Sequence, residues 1–126
     1  MKTFFSLSLA SLILASTQAS AACISILNTY NGSVPANSFV IAQGPFTITS
    51  ANGCRQANIS ATITASGAGS APKLYIDRQT GSTWTQVAGG RGNTASVLGP
   101  LGTYRVRHEN TLNTQRQYSG TTRYAR

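Results

Sequence analysis

Hydrophobic and polar residues alternate over short stretches of this chain, which is the pattern of β-strands with one buried face. The clearest stretch is 59–65, where isoleucine and alanine alternate with serine and threonine. Shorter runs of alternating or apolar residues follow this pattern at 24–27, 39–41, 46–48, 74–77, 84–87, 95–98, 104–108 and 118–124. No window shows helical spacing over a useful length. The sequence predicts an all-β, single-domain antiparallel β-sandwich of about seven to nine short strands.

Turn residues separate the runs and predict where strands end. We expect a loop over 30–37, because it contains Gly32 and Pro35, and a strand end at Gly44-Pro45. Asn52-Gly53 predicts a turn just before the second cysteine, and residues 80–82 predict a hairpin into 84–87.

The N-terminal residues predict a leader. Lys2 precedes an apolar run over 4–15, and the small residues 19–21 fit a cleavage site, so we expect a secretory signal over 1–21 and the sandwich over 22–126. The run is too short for the roughly 20 residues of a membrane span. The product is expected to be secreted or extracellular, with the periplasm or cell surface as alternatives.

Two cysteines, Cys23 and Cys54, remain after cleavage. In an oxidising compartment such a pair predicts one disulfide, which stabilises a small domain by roughly 3–4 kcal/mol. The alternative is a lipobox over 20–23, which would lipidate Cys23 and leave Cys54 alone. Two cysteines and His108 are too few for a closed zinc site, so we expect no metal and no cofactor.

The segment 98–107 resembles a late strand of immunoglobulin-like and fibronectin type III-like sandwiches. Its Gly-Pro-Leu-Gly turn leads into Tyr104, and the preceding hairpin, which ends in Trp84, is also of that style. This resemblance covers the last half of the predicted mature chain and implies an immunoglobulin-like fold. It implies no function.

A second resemblance is to chaperone–usher pilin subunits, which are secreted one-domain sandwiches with one early disulfide. Cys23, Cys54, the strand at 45–49 and the terminal Tyr124 are similar to that pattern. The chain departs from it because no donor extension precedes the first cysteine and because the charge is strongly positive. The resemblance implies assembly at a surface, with an oligomer as one of the expected states.

Charge is the most informative chemical feature. The formal charge is +8, which becomes +7 once Lys2 is removed with the leader, and the only acids are Asp77 and Glu109. If strands 104–108 and 118–124 pair as neighbours, their arginines gather on one face or edge. The residues predicted to bind an acidic partner are Arg105, Arg107, Arg116, Tyr118, Arg123 and Tyr124.

The sequence contains few residues suited to acid–base catalysis, with one histidine and two acids. A ribonuclease-like hydrolase or toxin would use His108 and Glu109 for acid–base chemistry. Adjacent residues of a strand point to opposite faces, so a half-buried structural histidine is the simpler interpretation.

The function that these features favour is a basic, non-enzymatic sandwich that binds or assembles at an extracellular surface. Its partner would be an acidic polysaccharide, an envelope surface or an acidic protein, with nucleic acid as an unspecific option. The alternatives are the His108 hydrolase or toxin, a secreted inhibitor or defence protein, and a solvated basic surface with no specific partner. Asn31 and Asn58 begin glycosylation patterns that matter only in a glycosylating host.

Overall fold

A computed structural model describes residues 23–126, which form eight antiparallel strands. The predicted leader lies outside the described residues. The strands are β1 (Ser25–Val34), β2 (Ser38–Ile48), β3 (Ala57–Ala65), β4 (Lys73–Thr80), β5 (Thr83–Gly89), β6 (Thr94–Gly99), β7 (Gly102–Asn110) and β8 (Arg116–Ala125). The predicted all-β fold with alternating strands is therefore confirmed. A 3₁₀ turn over Ser50–Asn52 ends at Gly53, which adopts a left-handed conformation where the sequence predicts a turn.

The strands divide between two four-stranded sheets, ordered β1-β8-β3-β6 and β2-β7-β4-β5. Each sheet mixes strands from both ends of the chain, which is the arrangement of an eight-stranded jelly roll. Immunoglobulin domains instead use strands A, B, E and D in one sheet and C, F and G in the other. The sandwich architecture is confirmed, and the finer immunoglobulin-like assignment is not.

One local feature of the immunoglobulin resemblance is nevertheless present. The hydroxyl of Tyr104 donates a hydrogen bond of 2.6 Å to the carbonyl of Pro100, four residues upstream. This bond fixes the entry into β7 by the same kind of contact as the tyrosine corner of those domains.

Two predicted boundaries are wrong. The expected loop over 30–37 is strand as far as Val34, where β1 ends. Gly32 pairs with Tyr118 of β8, and a Cβ at position 32 would come within 2.9 Å of the tyrosine hydroxyl. The glycine thus makes room for a core ring. The expected strand end at Gly44-Pro45 lies inside β2, where the register shifts. As β2 lies at the edge of its sheet, it tolerates a proline and an irregular register.

Alternate residues of the strands fill the space between the sheets. The predicted apolar face of β3 is buried at Ile59, Ala61 and Ile63. Leu74 and Ile76 of β4 face them from the opposite sheet and are also buried. Most outward residues of the first sheet are serine, threonine and asparagine, with Leu27, Leu98 and Arg123 among them, so this sheet buries one face and exposes the other to water.

The predicted disulfide between Cys23 and Cys54 is confirmed, with their Cα atoms 4.8 Å apart. It joins the residues before β1 to those before β3, and these two strands flank β8. The bridge therefore holds one end of the first sheet together.

Replacement of both cysteines by serine should lower the free energy of unfolding by about 3–4 kcal/mol, because the closed loop spans 31 positions. Urea unfolding of the oxidised chain and of the double variant measures the difference. Equal midpoints would contradict a stabilising role for the bridge.

Candidate functional site

Both acids of the chain lie on the outer face of the β2-β7-β4-β5 sheet. Asp77 lies on β4 opposite Arg105, while Glu109 lies at the end of β7 opposite Lys73. Aromatic rings from three strands surround them. We call this surface the guanidinium–aromatic face, and its members are Phe39, Tyr75, Asp77, Trp84, Arg105, Arg107 and Glu109.

The carboxylate of Asp77 holds two arginines. The Nε atoms of Arg105 and Arg107 each donate to its Oδ2 at 2.9 Å, and Nη2 of Arg107 donates to Oδ1 at 3.2 Å. The Asp77 side chain is only 2% exposed, against 18% for Arg105 and 16% for Arg107. The carboxylate is thus covered by its own cations, and the guanidinium groups remain partly accessible.

Each guanidinium also stacks on an aromatic ring. The Cζ of Arg105 lies 4.3 Å from the ring centroid of Trp84, and that of Arg107 lies 4.2 Å from Tyr75 and 5.8 Å from Phe39. Trp84 and Tyr75 are half-buried and Phe39 is 53% exposed. Rings and guanidinium planes therefore alternate across the sheet, held by cation–π contacts.

The electrostatics follow from these contacts. The hydrogen bond to Asp77 raises the pKa of Arg107 despite partial burial. Desolvation, and then the nearby carboxylate of Glu109, raise the pKa of Tyr75, whose hydroxyl donates to Glu109 at 3.2 Å. Arg107 therefore stays charged, and Tyr75 stays a neutral hydrogen-bond donor at ordinary pH.

The arrangement suits binding. Asp77 occupies the Nε edge of both arginines and leaves further N–H groups to donate to a ligand. Arginine recognises carboxylate, sulfate and phosphate groups in this way, and it stacks on flat rings. The face therefore offers fixed cationic donors beside partly exposed aromatic surface.

The predicted arginine cluster is wrong in its geometry. Strand β7 pairs with β2 and β4, whereas β8 pairs with β1 and β3 in the other sheet. Arg105 and Arg107 lie together as expected from their spacing. Arg123 lies on the outer face of the opposite sheet, and Arg116 donates to the carbonyls of Ala68 and Ser70 at 2.6–3.2 Å.

The two predicted tyrosines face the core. Tyr118 is 6% exposed and Tyr124 is 5% exposed. The ring of Tyr124 stacks on Phe46 at 4.2 Å, and Tyr118 meets His108 edge-on at 4.2 Å. Their rings therefore do not interleave with the arginines on any outer surface.

His108 and Glu109 lie on opposite faces of β7, as strand geometry predicts. His108 is fully buried between the sheets, and neither ring nitrogen has a hydrogen-bond partner among residues 23–126. Burial lowers the pKa of His108 from the usual 6.5 to about 4, so the ring is neutral at pH 7. The two side chains cannot act on one substrate in this fold.

Sequence reasoning missed Asp77, Tyr75, Trp84 and Phe39 as members of the site. One signal was available, because period-two spacing places Tyr75 and Asp77 on the same face of β4. What joins that face to Arg105 and Arg107 is the β4–β7 pairing, which a single sequence does not encode locally.

Comparison with known proteins supplies a fold and no family. No protein-family model matches this sequence, and no curated protein matches it either. Among solved structures, the chain is similar to the crystal structure of a mitogen derived from Yersinia pseudotuberculosis. The TM-score is 0.57 at 15% identity, over 79% of this chain and 86% of that one. At this identity the likeness shows the fold alone.

A second similar structure is that of Bacillus endospore appendages, described as a novel family of disulfide-linked pili. The match covers 85% of this chain and 93% of the pilus chain at 15% identity. Its TM-score of 0.34 is too low to show a shared fold. Within residues 23–126 no helix is long and apolar enough to cross a membrane. The same residues contain no cluster of three or more potential metal ligands.

Asp77→Asn should lower the free energy of unfolding by about 3 kcal/mol, because it leaves two partly buried guanidinium groups without a carboxylate. The matched control is Glu109→Gln, which removes a half-exposed negative charge but keeps an oxygen that can accept from Tyr75, and should cost less than about 1 kcal/mol. Urea unfolding at pH 7 measures both. Equal losses in the two variants would show that Asp77 has no special role.

Protonation of His108 should make stability depend on pH. The unfolded chain binds this proton below about pH 6.5 and the folded chain only near pH 4, so stability falls as the pH drops through that window. The loss should reach about 3 kcal/mol at pH 4 and should be absent in His108→Leu. Urea unfolding at several pH values compares the two slopes. Parallel slopes would contradict the assignment.

Proposed function

We propose that this chain is a secreted, non-enzymatic binding protein whose guanidinium–aromatic face binds an acidic glycan. The observation that carries the proposal is the placement of Arg105 and Arg107, fixed by one buried carboxylate and stacked on partly exposed rings. Secretion is proposed from the leader over 1–21, and the disulfide is consistent with an oxidising compartment.

The fixed geometry supports binding because little conformational freedom remains to be lost. Free arginine side chains give up rotamer entropy when they hold a ligand, whereas these two are already held by Asp77 and by their rings. Their unused N–H groups would donate to a carboxylate or sulfate. The neighbouring rings of Trp84 and Phe39 would cover the apolar face of a sugar.

The charge of the face is modest, which favours a ligand that combines ring surface with an anionic group. Arg105 and Arg107 balance Asp77 and Glu109 within the face, and Lys73 at its border adds one net positive charge. A simple polyanion would bind better where arginines have no acids beside them. A uronic acid polymer offers both carboxylates and flat sugar faces.

The test uses charge-neutral substitutions, so that lost affinity reports stacking. Trp84→Ala and Phe39→Ala should each weaken binding of an oligogalacturonate by about tenfold, the equivalent of ~1.4 kcal/mol. Isothermal titration calorimetry of the folded, oxidised protein measures the affinity. The matched control is Leu98→Ala, which removes an exposed apolar side chain (64%, against 53% for Phe39) from the other sheet and should leave the affinity unchanged.

A carboxyl-reduced oligomer of the same length tests the need for acid groups. It should bind at least about tenfold more weakly, because the guanidinium groups then lack a charged acceptor. Equal affinity for the two oligomers, or equal affinity of all three variants, would overturn the proposal.

A further inference from the structure

The arginines that lack acidic neighbours are distributed unevenly over the molecule. Asp77 and Glu109 both lie on the guanidinium–aromatic face, and no arginine of residues 23–126 other than Arg105 and Arg107 forms an ion pair with a side-chain carboxylate. Arg116 is held by backbone carbonyls, and Arg78 is half-buried. Three of those that remain, Arg55, Arg123 and Arg126, gather at the end of the molecule that carries the disulfide.

The strand register and the disulfide place these three residues at one end of the first sheet. Arg55 follows Cys54, whose bridge leads to Cys23. Arg126 exchanges two backbone hydrogen bonds, of 2.9 and 3.2 Å, with Ile24. Arg123 lies on β8 between Leu27 of β1 and Ser60 of β3. All three arginines are exposed.

Large apolar side chains are exposed at the same end. Ile24 is 60% exposed, Leu27 is 51% exposed and Leu98 is 64% exposed. Leu98 lies opposite Asn58 of β3, one residue before the Ile59 that pairs with Tyr124. Leu27 and Leu98 therefore stand on one outer sheet face, across three strand spacings or about 15 Å. We call Ile24, Leu27, Arg55, Leu98, Arg123 and Arg126 the disulfide-end patch.

We propose that the disulfide-end patch docks on an anionic lipid surface. Exposed apolar side chains among arginines without acids match the lipid interface, where apolar groups enter the headgroup boundary and cations meet phosphates. An arginine side chain keeps its guanidinium group in water while its methylene groups cover apolar surface. Arginines and aliphatic side chains can therefore contact the lipid interface at the same depth. The patch is separate from the guanidinium–aromatic face, so this proposal stands independently of the glycan.

The charge and the apolar groups make distinct, measurable contributions. The chain is expressed with its own leader, its N-terminus is read by mass spectrometry, and binding is measured by co-sedimentation with vesicles. Vesicles of equal parts phosphatidylcholine and phosphatidylglycerol should retain it, whereas phosphatidylcholine alone should not. Arg123→Gln with Arg126→Gln should lower the partition coefficient at least about tenfold, since each interfacial arginine contributes to attraction by anionic lipid.

Matched controls separate the patch from net charge and from general hydrophobicity. Lys73→Gln with Arg91→Gln removes the same two charges elsewhere and should lower the partition coefficient much less. Leu27→Ser with Leu98→Ser should weaken vesicle binding about tenfold, whereas Val87→Ser with Leu112→Ser, which are 39% and 46% exposed, should not. Each variant is first checked for a native unfolding midpoint.

Several outcomes would overturn the proposal. They are equal losses in the two charge pairs, equal losses in the two apolar pairs, and no binding to either vesicle. Release of the bound protein by millimolar glycerophosphate would indicate a small-anion site in place of a lipid surface. Trp84→Ala should leave vesicle binding unchanged, so failure here is distinguishable from failure of glycan binding.

Discussion

The carboxylate of Asp77 is the interaction on which the outer surface of the β2-β7-β4-β5 sheet depends. It is almost fully covered, and it accepts three hydrogen bonds from the two arginines of β7. A buried carboxylate without cations would be costly, and two adjacent guanidinium groups without a carboxylate would repel each other. The three side chains therefore stabilise one another, and the rings of Trp84 and Tyr75 cover the arginines on either side.

This constraint also determines where the positive charge of the molecule acts. The two acids share one face with Arg105 and Arg107. These two arginines, which the sequence singles out, are therefore the ones whose charge is most nearly balanced by carboxylates. The cations without acids lie elsewhere, above all at Arg55, Arg123 and Arg126 beside the disulfide. One small sandwich thus presents two different surfaces, one with paired cations and aromatic rings and the other with exposed cations and aliphatic groups.

Local pattern was sufficient to predict the strands and their buried faces, because alternation is a property of consecutive residues. The alternation over 104–108 places Tyr104, Val106 and His108 on one face, which the structure buries, and Arg105 and Arg107 on the other. It could not predict which strands are neighbours, since the choice between pairing β7 with β8 or with β4 rests on contacts distant in sequence. That missing step misplaced Arg123, and it hid the role of Asp77. Gly32 and Pro45 misled for a related reason, because their meaning depends on a neighbouring ring and on an edge position.

The most direct test of the central claim is a nuclear magnetic resonance titration that follows arginine Nε–H and tryptophan Nε1–H signals as an acidic oligosaccharide is added. The account predicts that the signals of Arg105, Arg107 and Trp84 shift together and saturate at one ligand concentration, while that of Arg123 stays in place. Shifts confined to Arg55, Arg123 and Arg126 would contradict it, because binding would then follow unpaired charge instead of the fixed face around Asp77.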